Sequence, residues 1–545
     1  ENPDEPLTYS GVVYNEMKGA LSAPDDLLES RIMASLYPDT TYGYESGGDP
    51  EAIPQLTQEQ FVAFHGRYYH PSNSYIYLYG DMDIEEKLAY LDEEYLSKFD
   101  RIPVPSHIDR QPAFSKLVRQ SEFYPVSADD EIVEKTFLSL NWVVGESLNS
   151  KDMMGLEILE HALLRTAAAP LRKVLIDARL GKDVDSNFED DILQPYFSIV
   201  INNAEADRAE RFYTLVMDTL RKLADEGLDR TLMEASINLL EFRLREADFG
   251  SAPKGLIYGL RIMKTWLYDA EPETYLGYEA VLKEIKAGLD NGYFEELIRR
   301  LLLNNTHQTL LTLVPSRTMA AEREAEQEKL LAEKKASMSP AEIESVIAAT
   351  KALKERQQSP ETEAALKTIP VLELSDIRRE TYDLPLDVRE LEAAKVLFSD
   401  AETNGIVYLT LFFDAQTVPQ ADLPYAFLLS ELIGSVDTEA HTYAELANLK
   451  NLYTGGISYD VVTYTQNAQP DSCQPKFKVK AKVLKEKGVE LPTSWDALLD
   501  PKLQPKWAEL SLQPDPRTPQ ALEQLRVAEI AKWRPVITAS GFSIE

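Results

Sequence analysis

Cysteine is almost missing: Cys473 is the only one in 545 residues. A single thiol can neither close an internal disulfide nor build a thiolate-rich zinc cluster, so the chain belongs in a reducing compartment or is indifferent to redox. Histidine is scarce as well, with six residues, at 65, 70, 107, 161, 307 and 441. His65 and His70 are five apart, about 140° around a helix axis, and cannot converge on one metal as an i, i+4 pair would. Both read as structural or exposed. Long apolar runs are lacking too. The longest, GIVYLTLFFDA at 405–415, is well short of the ~20 residues of a membrane helix, so no span is expected. The opening ENPDEPLTYS is acidic and turn-like, with no apolar core of a signal peptide, and reads as a cut edge. Positive charge is in deficit: 56 Lys and Arg face 91 Asp and Glu, for a net charge of −35. That excludes nucleic-acid backbones as partners and favours cationic ones, although surplus acid also serves solubility. There is no His-x-x-Glu-His, Gly-x-Ser-x-Gly, P-loop or dinucleotide fingerprint. Taken literally, the chain holds no complete catalytic constellation.

What is present is a large α+β protein. At 545 residues, 44% hydrophobic and 27% charged, it has room for three or more globular domains. Thr57 with Gln60 is a capping box opening a helix that Pro71 stops, and Asp83 with Glu86 opens another. Between them SYIYLYG, residues 74–80, is rich in aromatic and β-branched residues and predicts a buried strand. RIPVPSHIDRQP at 101–112 reads as a linker. Beyond it, strand patterns at 135–146 and in PYFSIVINNAE combine with helical patterns at 152–164, 207–224 and 229–247. Strand then helix returns at 404–415 and 423–434, which is either a duplicated domain or the chance recurrence of a common pattern. Between the copies, residues 317–361 are dominated by Ala, Glu, Lys and Leu. A break near Ser337 and a helix start at Ser339-Pro340 with Glu342 predict a helical hairpin.

GVVYNEMKG, residues 11–19, predicts an amphipathic helix with Val12, Val13 and Met17 toward the core and Glu16 at the edge of that face. Alone, Glu16 is an ordinary solvated acid. The paired glycines of YESGGDPEAIPQLTQEQF (44–61) alone are a tight turn.

Taken in order, Asn-Glu-Met-Lys-Gly at 15–19, Ser-Gly-Gly-Asp-Pro at 46–50 and Tyr-His-Pro-Ser-Asn at 69–73 closely resemble the presequence protease branch of the insulinase-like zinc peptidases. The likeness continues more weakly, through LYTGGISYDVVTY, to about Lys487. It implies repeated α+β domains, each an antiparallel sheet with packed helices, in two halves joined by a helical hairpin and closing over unfolded peptides. It also implies a Zn2+ held by two histidines of an inverted His-x-x-Glu-His motif and by a distant glutamate, which matches Glu16. That motif would lie upstream of Glu1, and the fourth domain is absent, so the chain is expected to be a fragment that neither holds zinc nor cleaves peptides alone. No catalytic residue is assigned. The expected units are 1–105, the C-terminal part of the first peptidase domain; 113–316, a second; 317–361, the hairpin; 370–487, a partial third; and 488–545, a divergent tail that reads as foreign or misassembled and faintly resembles periplasmic solute-binding proteins. The expected partners are unstructured peptides, including basic ones, with no nucleic acid and no membrane, and the parent is expected to be a monomer. The expected compartment is the bacterial cytoplasm, or an organelle for a eukaryotic parent. The alternative is a peptidase-like subunit or peptide-binding scaffold without catalytic ligands.

Overall fold

The computed structural model describes residues 2–166, 168–380, 385–390, 395–466 and 468–484. The tail expected at 488–545 lies outside the described residues.

The N-terminal part is helical: α1 (Val12–Ala20), α2 (Pro24–Leu36), α3 (Gln58–Tyr68) and α4 (Ile84–Glu94). Thr57 and Gln60 form the expected reciprocal capping box on α3. Asp83 caps α4 by accepting from the Glu85 and Glu86 amides, with no return bond from the Glu86 side chain. The expectation of a buried strand at 74–80 is wrong. The segment is extended but has no strand partner among the described residues, and Tyr75, Ile76, Tyr77, Leu78 and Tyr79 are all exposed.

The centre is one five-stranded sheet, in the order β1 (Val118–Pro125), β5 (Gln308–Ser316), β2 (Thr136–Val143), β4 (Tyr196–Ala204), β3 (Asp183–Glu189). Pairing is antiparallel except between β1 and β5, which run parallel. β2 and β4 sit inside and are buried on both faces, as their near-continuous apolar text requires. One face carries α5 (Ser150–Glu160), α6 (Pro170–Asp177), α7 (Ala209–Glu226), α8 (Arg230–Glu246), α10 (Tyr278–Gly288) and α11 (Tyr293–Ile298), packed in a single large core. α7 shows the logic: Phe212, Val216 and Leu220 recur at four-residue spacing and are fully buried.

The other face is covered from far upstream by α2, whose Leu27, Leu28, Ile32 and Leu36 meet Val143, Val200, Leu311 and Leu313. A buried polar chain joins the same layers. Thr309 Oγ1 lies 2.9 Å from Ser35 Oγ and accepts from Asn141 Nδ2 at 3.1 Å, and Ser139 donates to Asn141 Oδ1.

α9 (Lys254–Trp266) has two working faces. Gly255, Gly259 and Trp266 share one, where Tyr79, Tyr77 and Tyr75 of the extended segment pack. Ile257, Arg261 and Lys264 share the opposite one, about 200° around the axis.

α12 (Met319–Ser337) and α13 (Pro340–Gln358) form the expected hairpin, with the Ser339–Glu342 capping box at its turn. Short α14 (Glu363–Leu366) and a two-stranded ribbon, β6 (Asp387–Glu390) with β7 (Lys395–Phe398), follow. The last unit pairs β8 (Ile406–Asp414) and β9 (Ile457–Gln466) on either side of β10 (Gln469–Leu484), with α15 (Leu423–Leu432) and α16 (Tyr443–Tyr453). It is fastened to α8: Asn238 donates to the Asn451 carbonyl at 2.6 Å, and Glu246 pairs with Lys482 at 2.8 Å. The α+β class read from sequence holds.

Candidate functional site

α1 forms where GVVYNEMKG predicts a helix, but its inward residue is different. Val12 is 74% and Val13 53% exposed, whereas Tyr14 is buried. Tyr14 is sequestered because its hydroxyl meets the Gln327 side chain of α12, a partner 313 residues away that no helical periodicity can announce. Met17 is half-buried, and its Sδ fills the space beside Gly47, where an added Cβ would stand 2.2 Å from the sulfur. Two of the three sequence signatures therefore meet through Met17 and Gly47. A side chain at 47 would have to push the flexible end of Met17 aside.

Glu16 points away from these contacts and is exposed. Among the described residues no three of His, Cys, Asp and Glu come together as a metal site. The histidines do other work. His65 stacks on Tyr69, and His70 Nδ1 accepts from the Ser72 amide, capping the turn at Pro71–Asn73. That turn anchors the linker, since Ser72 Oγ accepts from the Ile102 amide and Asn73 Oδ1 from Ser106. His307 Nε2 bonds the Leu36 carbonyl, where burial lowers its pKa. A single exposed carboxylate does not fit a zinc ion on its own, so no chemical step is derived through one.

A concave feature lies elsewhere: a cavity of about 620 Å³ walled by α5, α8, α9 and α10. At its edge the helix from α5 continues as a π turn over His161–Arg165, a geometry frequent at functional sites. His161 Nδ1 lies 3.0 Å from Ser236 Oγ. Burial, then the Arg243 and Arg165 guanidiniums, push the His161 pKa down to about 4, so the ring is neutral near pH 7. Glu157 pairs with Arg243 at 2.8 Å, yet desolvation in the cavity wall raises its pKa. Arg165 pairs with Glu160 at 2.9 Å. Burial opposes the charge of Lys264, but Asp190 and Asp191 outweigh it and raise its pKa. These residues span 157–264 on four elements and share no spacing, so the sequence alone offered no sign of the cavity.

Family models match two stretches of the chain: the Peptidase M16 inactive domain at residues 55–240, and the associated region of Peptidase M16, subfamily C, at residues 313–501. "Protein HypA" of Clostridium perfringens is 42% identical over 487 residues, covering 89% of this chain and 50% of that protein. Presequence protease 1, chloroplastic/mitochondrial, of Arabidopsis thaliana is 37% identical over 506 residues, covering 91% of this chain and 47% of that protein. The chain belongs to the insulinase-like M16 peptidases, in their subfamily C. It spans about half the length of these curated relatives. A third, the mitochondrial presequence protease of Mus musculus, is 28% identical over 483 residues, covering 87% of this chain and 45% of that protein. No helix among the described residues is long and apolar enough to cross a membrane.

Proposed function

We propose that this chain is part of a zinc metalloendopeptidase of the presequence protease type, which degrades short unstructured peptides, and that Glu16 is one zinc ligand of the full-length parent. The observation that carries this reading is the contact of Met17 with Gly47. It joins two of the resemblance's motifs around an α1 that leaves the Glu16 carboxylate free for a ligand supplied from outside these residues. Three protein ligands with one open position are what a catalytic zinc requires, and Glu16 alone supplies one. The 545-residue chain by itself therefore neither retains zinc nor cleaves peptides, and its surplus of acid favours basic peptides.

Metal analysis of the purified chain checks the first half: zinc well below one per molecule is expected, and one tight zinc per molecule refutes it. For the parent, chelator-sensitive peptidase activity is expected, with both zinc content and turnover lost on Glu16→Gln. Unchanged zinc and turnover in that variant overturn the assignment of Glu16.

A further inference from the structure

In the cavity between α5, α8, α9 and α10, one cation has no answering acid among the described residues. Four permanently charged cationic side chains line it: Arg165, Arg243, Arg261 and Lys264. Three are committed, Arg165 to Glu160, Arg243 to Glu157 and Lys264 to Asp190 and Asp191. Arg261 has no carboxylate within ion-pair distance among the described residues. Its guanidinium instead lies 5.2 Å from the centre of the Phe249 ring. Stacking on an aromatic ring restrains the guanidinium plane and leaves its N–H edge free, the arrangement that receives a carboxylate through two parallel hydrogen bonds. In a chain of net charge −35, a half-buried arginine with no carboxylate within 4.0 Å among the described residues is open to an anion from outside.

The surroundings narrow the ligand. Every carboxylate lining the cavity already faces a cation, so no acid there is free for an ammonium group. Leu239, Leu244 and Ile257 also line the space and are only partly buried, leaving apolar surface for a side chain. A volume of about 620 Å³ is that of a small-molecule or short-peptide site. We propose that this cavity binds the free C-terminal carboxylate of a short peptide, with Arg261 as the anion-binding group and Leu239, Leu244 and Ile257 receiving an apolar last side chain. The inference deepens the peptidase reading and rests on it for the choice of a peptide.

The test is calorimetric titration of the metal-free 545-residue chain with the tripeptide Ala-Ala-Leu as free acid and as C-terminal amide. The acid binds at least about tenfold more tightly than the amide, the ratio expected for a charge-assisted bidentate contact. Arg261→Gln removes that preference with an unchanged melting temperature, and Arg261→Lys restores part of it. Equal affinity for acid and amide, no binding of either, or acetate binding as tightly as the tripeptide overturns the proposal. Because no metal is used, the two readings fail separately. Peptide cleavage by the parent with no acid preference here discards only the cavity, and acid-selective binding with no cleavage by the parent discards only the peptidase.

Discussion

The ring of Tyr79 occupies the space that a side chain at position 255 would need. A Cβ built on Gly255 would stand 2.3 Å from Tyr79 Cδ1 and 2.7 Å from Cγ. Gly255→Ala should therefore destabilise the protein by roughly 1–3 kcal/mol through overpacking, although alanine favours a helix interior by about 1 kcal/mol over glycine. A chemical-denaturation midpoint at or above that of the native protein would show that the tyrosines are not seated on α9.

Thr309 joins two buried polar partners, Ser35 and Asn141, across the α2-covered face of the sheet. Thr309→Val removes the hydroxyl that meets Ser35 and accepts from Asn141, leaving Ser35 only its bond to the Ile32 carbonyl and the Asn141 amide only its long bond to the Thr309 carbonyl. The expected loss is about 2 kcal/mol of unfolding free energy. Amide exchange in α2 should accelerate more than in α7, which makes no use of this chain. Uniform exchange in both helices would count against the role assigned to Thr309.

His161 predicts an acid sensitivity. Its pKa falls from 6.5 to about 4 on folding, so between those values the unfolded state binds the proton that the folded state refuses. Stability is unpenalised above pH 6.5 and declines as pH falls toward 4, by up to about 3 kcal/mol at about 1.4 kcal/mol per pKa unit. His161→Gln should flatten that slope. Parallel stability profiles for the two proteins from pH 7 to 4 would contradict it.

Glu241 acts at lower pH. Burial alone would raise its pKa, but Lys286 and Arg245 outweigh burial and hold it below the ordinary 4.5. A depressed carboxylate stabilises the fold above its unfolded pKa, and the benefit disappears as pH falls through the folded value. Glu241→Gln should cost about 2 kcal/mol at pH 7, less than a fully buried broken pair because Lys286 is partly exposed. The loss should shrink as the pH falls from 4.5 through the depressed folded value, and a difference that stays constant over that fall would assign it to packing.

Much of the local structure was legible. The hairpin and its turn at Ser339-Pro340, the Thr57 cap, the strands in TFLSLNWV and YFSIVINNA, and the helices α7 and α8 follow from propensity, capping and period, all of which act within a few residues. The failures share a cause. SYIYLYG has the composition of a strand, but a strand needs a neighbour to receive its backbone hydrogen bonds, and here its alternate tyrosines turn instead to the bare face of a helix far downstream. In α1 the apolar stripe pointed to Val12 and Val13, yet a hydroxyl partner on α12 draws Tyr14 inward.

By itself the sequence determined the α+β class, the helical hairpin and, through three separated motifs, the insulinase-like family, because composition, capping and short motifs are local properties. Only the tertiary structure decided that Met17 packs beside Gly47, that α2 closes the second face of a sheet begun far along the chain, and that Arg261 is left without an acid among the described residues. Each depends on which distant surfaces burial brings together, and that choice is made by the packing of the whole chain.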